Sequence, residues 1–413
     1  MTAVDAPLFA LHKPPAHDLT VIESDSFEGA GVSREEWDQL VRDVGADLYV
    51  TYDWCRIWWR HYGGNRRLRL YIFRAGERLV GLAPMFIERV RIGPVSLRIA
   101  KRVGADFALT IFVLPLTAEY VEIAYRELMK RLIDGANCDA VWFGFVPGTD
   151  PTLSGLREAC CSLKNLVTVA RDAPAGPHTS FHLPETFDAY LASLNKRQRQ
   201  NYRRDVNFLN KHFEVGRDIV KDSARGGAAF AQFKIMHDKQ WLAEGKLGHF
   251  GDWPYSESFN TDLVTELSRL GRFRMVHLLA DQKIVSSQYA FVFGNCCYWR
   301  LPARAVDERL ERFGLGRLGL MALIEAMISE GVRQIEAGVG HYDYKVQLGG
   351  KELQIHTLLV VSRRRGVVSR ARLFLKFADL LHLVYYRVWR LRVAPRLPLP
   401  IGSLWRIWIR FRI

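Results

Sequence analysis

Between Glu336 and Lys345 the chain gathers the side chains best suited to moving protons. Glu336, His341, Asp343, Tyr344 and Lys345 fall within ten residues, with Gly338 and Gly340 making the stretch able to turn. Carboxylates and an imidazole accept protons, a phenol donates one, and a lysine carries a charge toward an anion or an acid. Lys345 has two readings here, a contact to a ligand's phosphate or carboxylate, or a structural pair with Asp343. His341 by itself also reads as an ordinary surface histidine. Just upstream, GLGRLG places Gly314, Gly316 and Gly319 at the opening of an apolar helix, with Arg312 and Arg317 beside them. The first turn of a helix leaves backbone N–H groups unpaired, and glycines let an anion approach them, so this start suits a pyrophosphate. An ordinary glycine-flanked helix entry is the other reading.

The elements that position these residues follow from periodicity. From Leu318 to Ile328 only Arg317, Glu325 and Ser329 form a polar stripe, so the helix is covered on most sides and lies against a sheet. A short strand at Gln334 to Ala337 follows. Farther upstream, SLNKRQRQNYRRDVNFLNKHF from Ser193 reads as a helix with a thin apolar seam and Arg197, Arg199, Arg203 and Arg204 on the outside. Those arginines fit phosphate oxygens, or are a solvated face. In the strand from Lys283 to Phe293, Ser286 and Gln288 share one face, which points to water or lines a cleft.

Length allows two domains. Each half repeats strand, tight turn, strand, helix, strand: Leu68 to Phe73, Ala75-Gly76, Leu79 to Ile87, a helix at Tyr120 to Leu132 and Ala140 to Phe145; then Phe273 to Ala280, Asp281-Gln282, Lys283 to Phe293, the glycine-led helix and Gln334 to Ala337. The pattern predicts an α+β (α/β) fold of two units. Prolines and a glycine across Arg171 to Ser180 mark the boundary. The expected divisions are a flexible N-terminus over 1–18, units over 19–175 and 176–362, and a tail over 363–413.

Composition closes other routes. None of the six cysteines forms a C-x-x-C, and His178 and His182 lie in a strand-like run, so neither a disulfide framework nor a metal site is expected. The start lacks a basic region followed by a sustained apolar run, which argues for a cytoplasmic protein. The charge of +14 sits almost wholly in residues 363–413, where thirteen Lys or Arg face the single acid Asp379 for a net +12. Leu373, Phe377, Leu380, Leu381, Val384, Tyr385 and Val388 recur there at helical spacing, and Trp405 and Trp408 interleave with arginines. Such a segment suits an anionic membrane surface without spanning it; docking on the domain and contact with nucleic acid are the alternatives.

Three pieces of this sequence together resemble a known family. Leu315-Gly316-Arg317-Leu318, Glu336-Ala337-Gly338-Val339-Gly340 and Tyr344-Lys345, preceded by the arginine-rich helix and by Glu36-Trp37 with Trp54, Trp58 and Trp59, resemble the cellulose-biosynthesis group of GNAT-superfamily acetyltransferases, related to Fem-type ligases, over roughly residues 19–362. The resemblance implies tandem GNAT-like domains, each a mostly antiparallel mixed sheet flanked by helices, and an N-acyltransferase that moves an acetyl or longer acyl group from acyl-CoA to an amine on a small molecule, glycan or lipid, in envelope or exopolysaccharide biosynthesis. Arg312, Gly314, Gly316, Arg317 and Gly319 would hold the donor; Glu336, His341 or Asp343 would take the proton and Tyr344 return one. Glu311 stands where the family's pyrophosphate signature has a basic or amide residue. Two alternatives follow from such departures: a Fem-type ligase using aminoacyl-tRNA, with the arginine helix on RNA, or a non-catalytic membrane-associated partner in polysaccharide assembly.

Overall fold

A single mixed sheet of twelve strands runs through the protein, and the halves predicted from the repeat share it. The computed structural model describes residues 19–106, 113–393, 396–397 and 409–411. The first half supplies β1 (Leu19–Ser24), α1 (Arg34–Asp43), α2 (Tyr52–Tyr62), β2 (Arg67–Ala75), β3 (Arg78–Ile92), β4 (Val95–Arg102), α3 (Val121–Lys130), β5 (Ala140–Pro147), α4 (Pro151–Ser162) and β6 (Val167–His182). The second supplies α5 (Phe187–Ser193), α6 (Lys196–Asn210), β7 (Val215–Val220), α7 (Ser223–Ala243), α8 (His249–Asp252), α9 (Ser256–Arg269), β8 (Phe273–Ala280), β9 (Lys283–Phe293), β10 (Cys296–Arg304), α10 (Leu315–Ser329), β11 (Gln334–Val339), α11 (Asp343–Gln347), β12 (Lys351–Ser362) and α12 (Val367–Leu383). The order is β1-β2-β3-β4-β5-β12-β6-β11-β10-β9-β8-β7. Pairing is antiparallel except at β4–β5 and β10–β11.

The turn chemistry read from sequence is the turn chemistry found. Gly76 takes φ 58° at the first central position of the β2–β3 hairpin, and Asp281 and Gln282 both take positive φ between β8 and β9. These fit the tight hairpin turns whose twist matches the flanking strands. The boundary read at Arg171 to Ser180 is corrected: this stretch is the middle of β6, paired along its length with β12. Pro174 and Pro177 are tolerated because β11 reaches only His178–His182 on the other side, and a register shift sits opposite, at Ile355/His356. The halves thus exchange strands, with β12 lying between β5 and β6.

Both faces of the sheet are covered. Trp37, Trp54 and Trp58 of α1 and α2 are fully buried in one core with Phe259, Tyr289 and Phe291 of the second half. On the opposite face α10 buries Leu320, Leu323, Ile324 and Met327 against Ala290, Cys297 and Ile335. Ser286 and Gln288, read as water-facing or cleft-lining, are wholly buried beneath α10. The reason is Gly319, where a Cβ would come within 2.2 Å of Ser286 Oγ and 2.5 Å of Gln288 Nε2. All six cysteines are free. Among the described residues no group of three or more His, Cys, Asp or Glu is arranged to hold a metal.

The tail is an element of the fold. Helix α12 buries Val367, Ala371, Phe374, Leu375 and Ala378 against Leu97, Ile99, Trp142 and Leu359. That is not the apolar seam read from sequence: Leu373, Leu380, Val384 and Val388 of that seam are exposed. The smaller residues Ala371 and Ala378 allow the close approach to the sheet. Near the end of the chain, Arg410 donates to Glu88 at 2.8 Å, and its carbonyl accepts from Lys101 at 3.1 Å. No helix among the described residues is long and apolar enough to cross a membrane. Residues 1–18, Trp405 and Trp408 lie outside the described residues.

Candidate active site

The sheet opens where β10 and β11 part. The two strands pair only from Cys296–Tyr298 to Gln334–Glu336; β10 then bulges between Trp299 and Leu301 and follows β9, while β11 follows β6. In front of this opening, on the α10 side, lies a cavity of about 570 Å³. Trp299, Arg304, Glu311, Gly316, Arg317 and Tyr344 are among its walls. A smaller hollow of about 220 Å³ beside α2, at Arg56, Trp59 and Arg60, contains none of the candidate residues.

The glycine-led helix start is at the cavity, but its residues divide. Gly314 takes the left-handed conformation, φ 63°, as the helix cap. Gly316 has nothing within 4 Å of where a Cβ would lie, so it faces open space. Arg317 and Leu318 donate their N–H groups to the carbonyl of Gly314 at 2.9 and 3.2 Å, and no backbone acceptor is found among the described residues for the N–H of Leu315 or Gly316. These two are available to an anion. Arg317 lines the cavity and is clasped by Asp205 of α6. Arg312 is elsewhere: its guanidinium lies over the rings of Phe208 and Phe313, 5.2 and 5.1 Å from their centroids. Gly319 also leaves the donor site, because its missing side chain is the price of close packing on Ser286 and Gln288.

Helix α6 begins with Asn195 and Gln198 in a reciprocal capping box and runs past α11, where Gln198 Nε2 donates to Val346 O at 3.5 Å, toward the start of α10. Its four candidate arginines do different things. Arg199 turns back to the carbonyls of Ala192 and Leu194 at the end of α5, and Arg204 pairs with Asp205 at 3.2 Å. Arg197 and Arg203 are exposed and make no ion pair among the described residues.

The polar turn divides as well. Tyr344 reaches the cavity, and burial pushes its phenol above the ordinary range, which keeps the proton on oxygen. Lys345 is buried: Nζ donates to the Ala337 carbonyl of β11 at 2.6 Å and lies 4.4 Å from the centroid of Tyr342 and 5.4 Å from that of Trp299. It makes no pair with Asp343, and burial brings its ammonium down to about 8, opposed by the charge of Glu352. His341 sits in solvent between Glu352 at 2.7 Å and Asp343 at 3.0 Å. Hydrogen bonds to these two carboxylates raise its pKa and engage both ring nitrogens, so neither is left to accept a proton from a substrate as the sequence reading had it. Asp343, largely exposed, is the other end of that clasp.

Glu336 lies on the reverse face. Ile335 and Ala337 pack with α10, so the intervening carboxylate points to the other side of the sheet. There it contacts His178 of β6 and accepts from Gln334. Asp47, in the loop after α1, is pushed up to about 7 by burial and, secondarily, by the charge of Glu336. Tyr298 donates to Asp47 at 3.4 Å. Neither His178 nor Asp47 is legible as a partner of Glu336 in sequence, since they lie 158 and 289 positions away. Glu336 thus lies behind the strand opening and Tyr344 in front of it.

With this geometry in view, comparison decides the class of fold. Residues 196–346 match the family described as an acetyltransferase (GNAT) domain. The mixed sheet with its α10-type helix at the strand opening is therefore GNAT-like. Among solved structures, FemX superposes at a TM-score of 0.56 with 11% identity, covering 81% of this chain and 96% of that one. The C-terminal domain (DUF2156) of a putative lysylphosphatidylglycerol synthetase from Agrobacterium fabrum gives 0.47 with 12% identity over 84% and 98%, and a tandem GNAT protein from the clavulanic acid biosynthesis pathway gives 0.41 with 12% identity over 83% and 98%. At 11% identity the likeness to FemX is one of fold. No curated protein matches the chain.

Proposed function

We propose that this protein is an N-acyltransferase that takes an acetyl or longer acyl group from acyl-CoA in the α10 cavity and gives it to an amine presented on the reverse face of the sheet. The observation that carries this reading is the strand opening itself, with the free N–H groups of Leu315 and Gly316 and the phenol of Tyr344 on one side and the Glu336 carboxylate on the other. The diphosphate of the donor would lie at the start of α10 beside Arg317. The acceptor ammonium would lose a proton to Glu336, held in place by His178 and Gln334. The neutral amine attacks the thioester carbon, the C–S bond breaks as the tetrahedral adduct collapses, Tyr344 protonates the departing thiolate, and the extra proton on the adduct nitrogen replaces the one Tyr344 gave. Lys345 holds the Ala337 carbonyl and so fixes β11 at the edge of the opening. An acceptor among glycans or lipid-linked amines of the cell envelope rests on the sequence resemblance alone.

A second reading uses the same site with aminoacyl-tRNA as donor. Glu311 in the cavity wall is unfavourable for a pyrophosphate, and the exposed Arg197 and Arg203 of α6 suit an RNA backbone. Thermal shift with acetyl-CoA, longer acyl-CoAs and aminoacyl-tRNA separates the two, because a ligand bound only by the native state raises apparent stability. Stabilisation by an acyl-CoA supports the first reading; stabilisation by aminoacyl-tRNA alone replaces it with the second.

A further inference from the structure

Helix α12 has two apolar faces, and among the described residues only one is covered. While Ala371, Phe374 and Ala378 meet the sheet, Leu373 and Leu380, one heptad apart, point away from it at 44% and 56% exposure, joined by Leu383 at 47% and, in the continuing π-helical run Val384–Val393, by Leu391 at 70%. Soluble surfaces carry scattered leucines, but a row along one helix face marks a contact surface. The charges beside it have one sign. Arg372, Lys376, Arg387 and Arg392 are exposed and make no ion pair among the described residues, while the single acid of the segment, Asp379, is bound by Arg171 at 2.7 Å.

We infer that the outer face of α12 is a docking surface for an anionic lipid bilayer, with the helix lying in the plane of the interface. Its leucines enter the acyl boundary while the long basic side chains extend to lipid phosphates. A second copy of this chain is disfavoured as occupant, because a two-fold contact would set these unpaired cations against themselves. RNA would leave the leucines unburied. The inner face of α12 and the Arg410–Glu88 contact fix the helix on the body, so it docks as a rigid, preformed element.

The test uses the full chain with vesicles of phosphatidylcholine alone or with added phosphatidylglycerol. Sedimentation with the anionic vesicles and not with phosphatidylcholine alone is expected. The triple substitution Leu373→Gln, Leu380→Gln, Leu383→Gln should lower partition by at least about tenfold, leaving weak binding that salt removes fully. Lys376→Glu with Arg387→Glu should lower it at low salt. Because all five positions are exposed, the thermal midpoint of each variant should stay near that of the parent, which separates lost docking from lost folding. Absence of vesicle binding by the parent, equal binding by the leucine variant, or a concentration-dependent dimer abolished by the leucine changes would each overturn the inference.

Discussion

Replacing Gly319 by alanine separates two physical roles that the sequence leaves together. A glycine in the first turns of a helix can admit an anion or admit another element. Here a Cβ would lie 2.2 Å from Ser286 Oγ, 2.5 Å from Gln288 Nε2 and 3.0 Å from Ser286 Cβ. Both side chains are fully buried and tied, Ser286 Oγ to the Ala303 carbonyl at 3.1 Å and Gln288 Nε2 to Ser286 Oγ at 3.1 Å, so neither can swing away without breaking a bond. Overpacking of this kind costs about 1–3 kcal/mol. Alanine returns about 1 kcal/mol of helix propensity. The 2.2 Å approach puts the cost at the upper end, so Gly319→Ala should destabilise by about 2 kcal/mol net, with about 2–4 °C in Tm per kcal/mol for a domain of about 150–250 residues. Ser286→Ala in the same chain should recover part of the loss, since it removes the atom closest to the new Cβ, offset by loss of the two hydrogen bonds that Oγ makes. Urea unfolding of the single and double variants measures both, and acyl-CoA affinity should be little changed. A Gly319→Ala protein as stable as the parent but unable to bind donor would refute the packing account.

Tyr344→Phe should lower turnover while leaving donor affinity nearly unchanged, as steady-state kinetics would register, because only a transition-state interaction is lost. A fall in stability with unaltered turnover would make Tyr344 a wall of the cavity and nothing more. For Lys345 the sign follows from its depressed pKa: between about 8 and 10.5 the unfolded chain binds the proton that the folded one has released, so stability rises with pH across that window. The rise is at most about 3 kcal/mol, and Lys345→Met should remove it from urea unfolding at pH 7.5 and 9.5; an unchanged pH dependence would mean the ammonium is solvated. Truncation after Val361 removes the inner face of α12 and Arg410 together, so it should give a destabilised or insoluble product, detectable by circular dichroism; a fully stable product would show that the tail is only an attachment.

Much of the fold was written locally. Gly76, Asp281 and Gln282 announce their hairpins, and the narrow polar stripe of α10 announces a helix that must be covered on most sides. What sequence cannot supply is which distant surface does the covering. Pro174 and Pro177 look like a linker because proline forfeits a donor, and only the partial reach of β11 shows that no donor was needed there. The α12 seam was misassigned for a related reason: helical spacing identifies an apolar face but not whether a large-residue face or one opened by Ala371 and Ala378 meets the sheet. In the site, the motif leads to Gly316 and Tyr344, both of which line the cavity, whereas His178 comes to Glu336 only through the pairing of β6 with β11. Arg312 illustrates the opposite error, since a basic residue near a helix start was read as a ligand contact when Phe208 and Phe313 were waiting for it.

The account rests on an acyl-CoA held at the start of α10, and calorimetric titration of acetyl-CoA and longer acyl-CoAs into the parent and Gly316→Asp tests that most directly. Gly316 faces open space, so the aspartate folds without a clash and sets a carboxylate where the proposed diphosphate would lie. The expected result is saturable binding by the parent, weakened at least about tenfold by the substitution, which corresponds to about 1.4 kcal/mol, with the thermal midpoint of the empty protein unchanged or raised by the helix dipole. Equal affinity in both proteins, or no binding of any acyl-CoA to the parent, would contradict it.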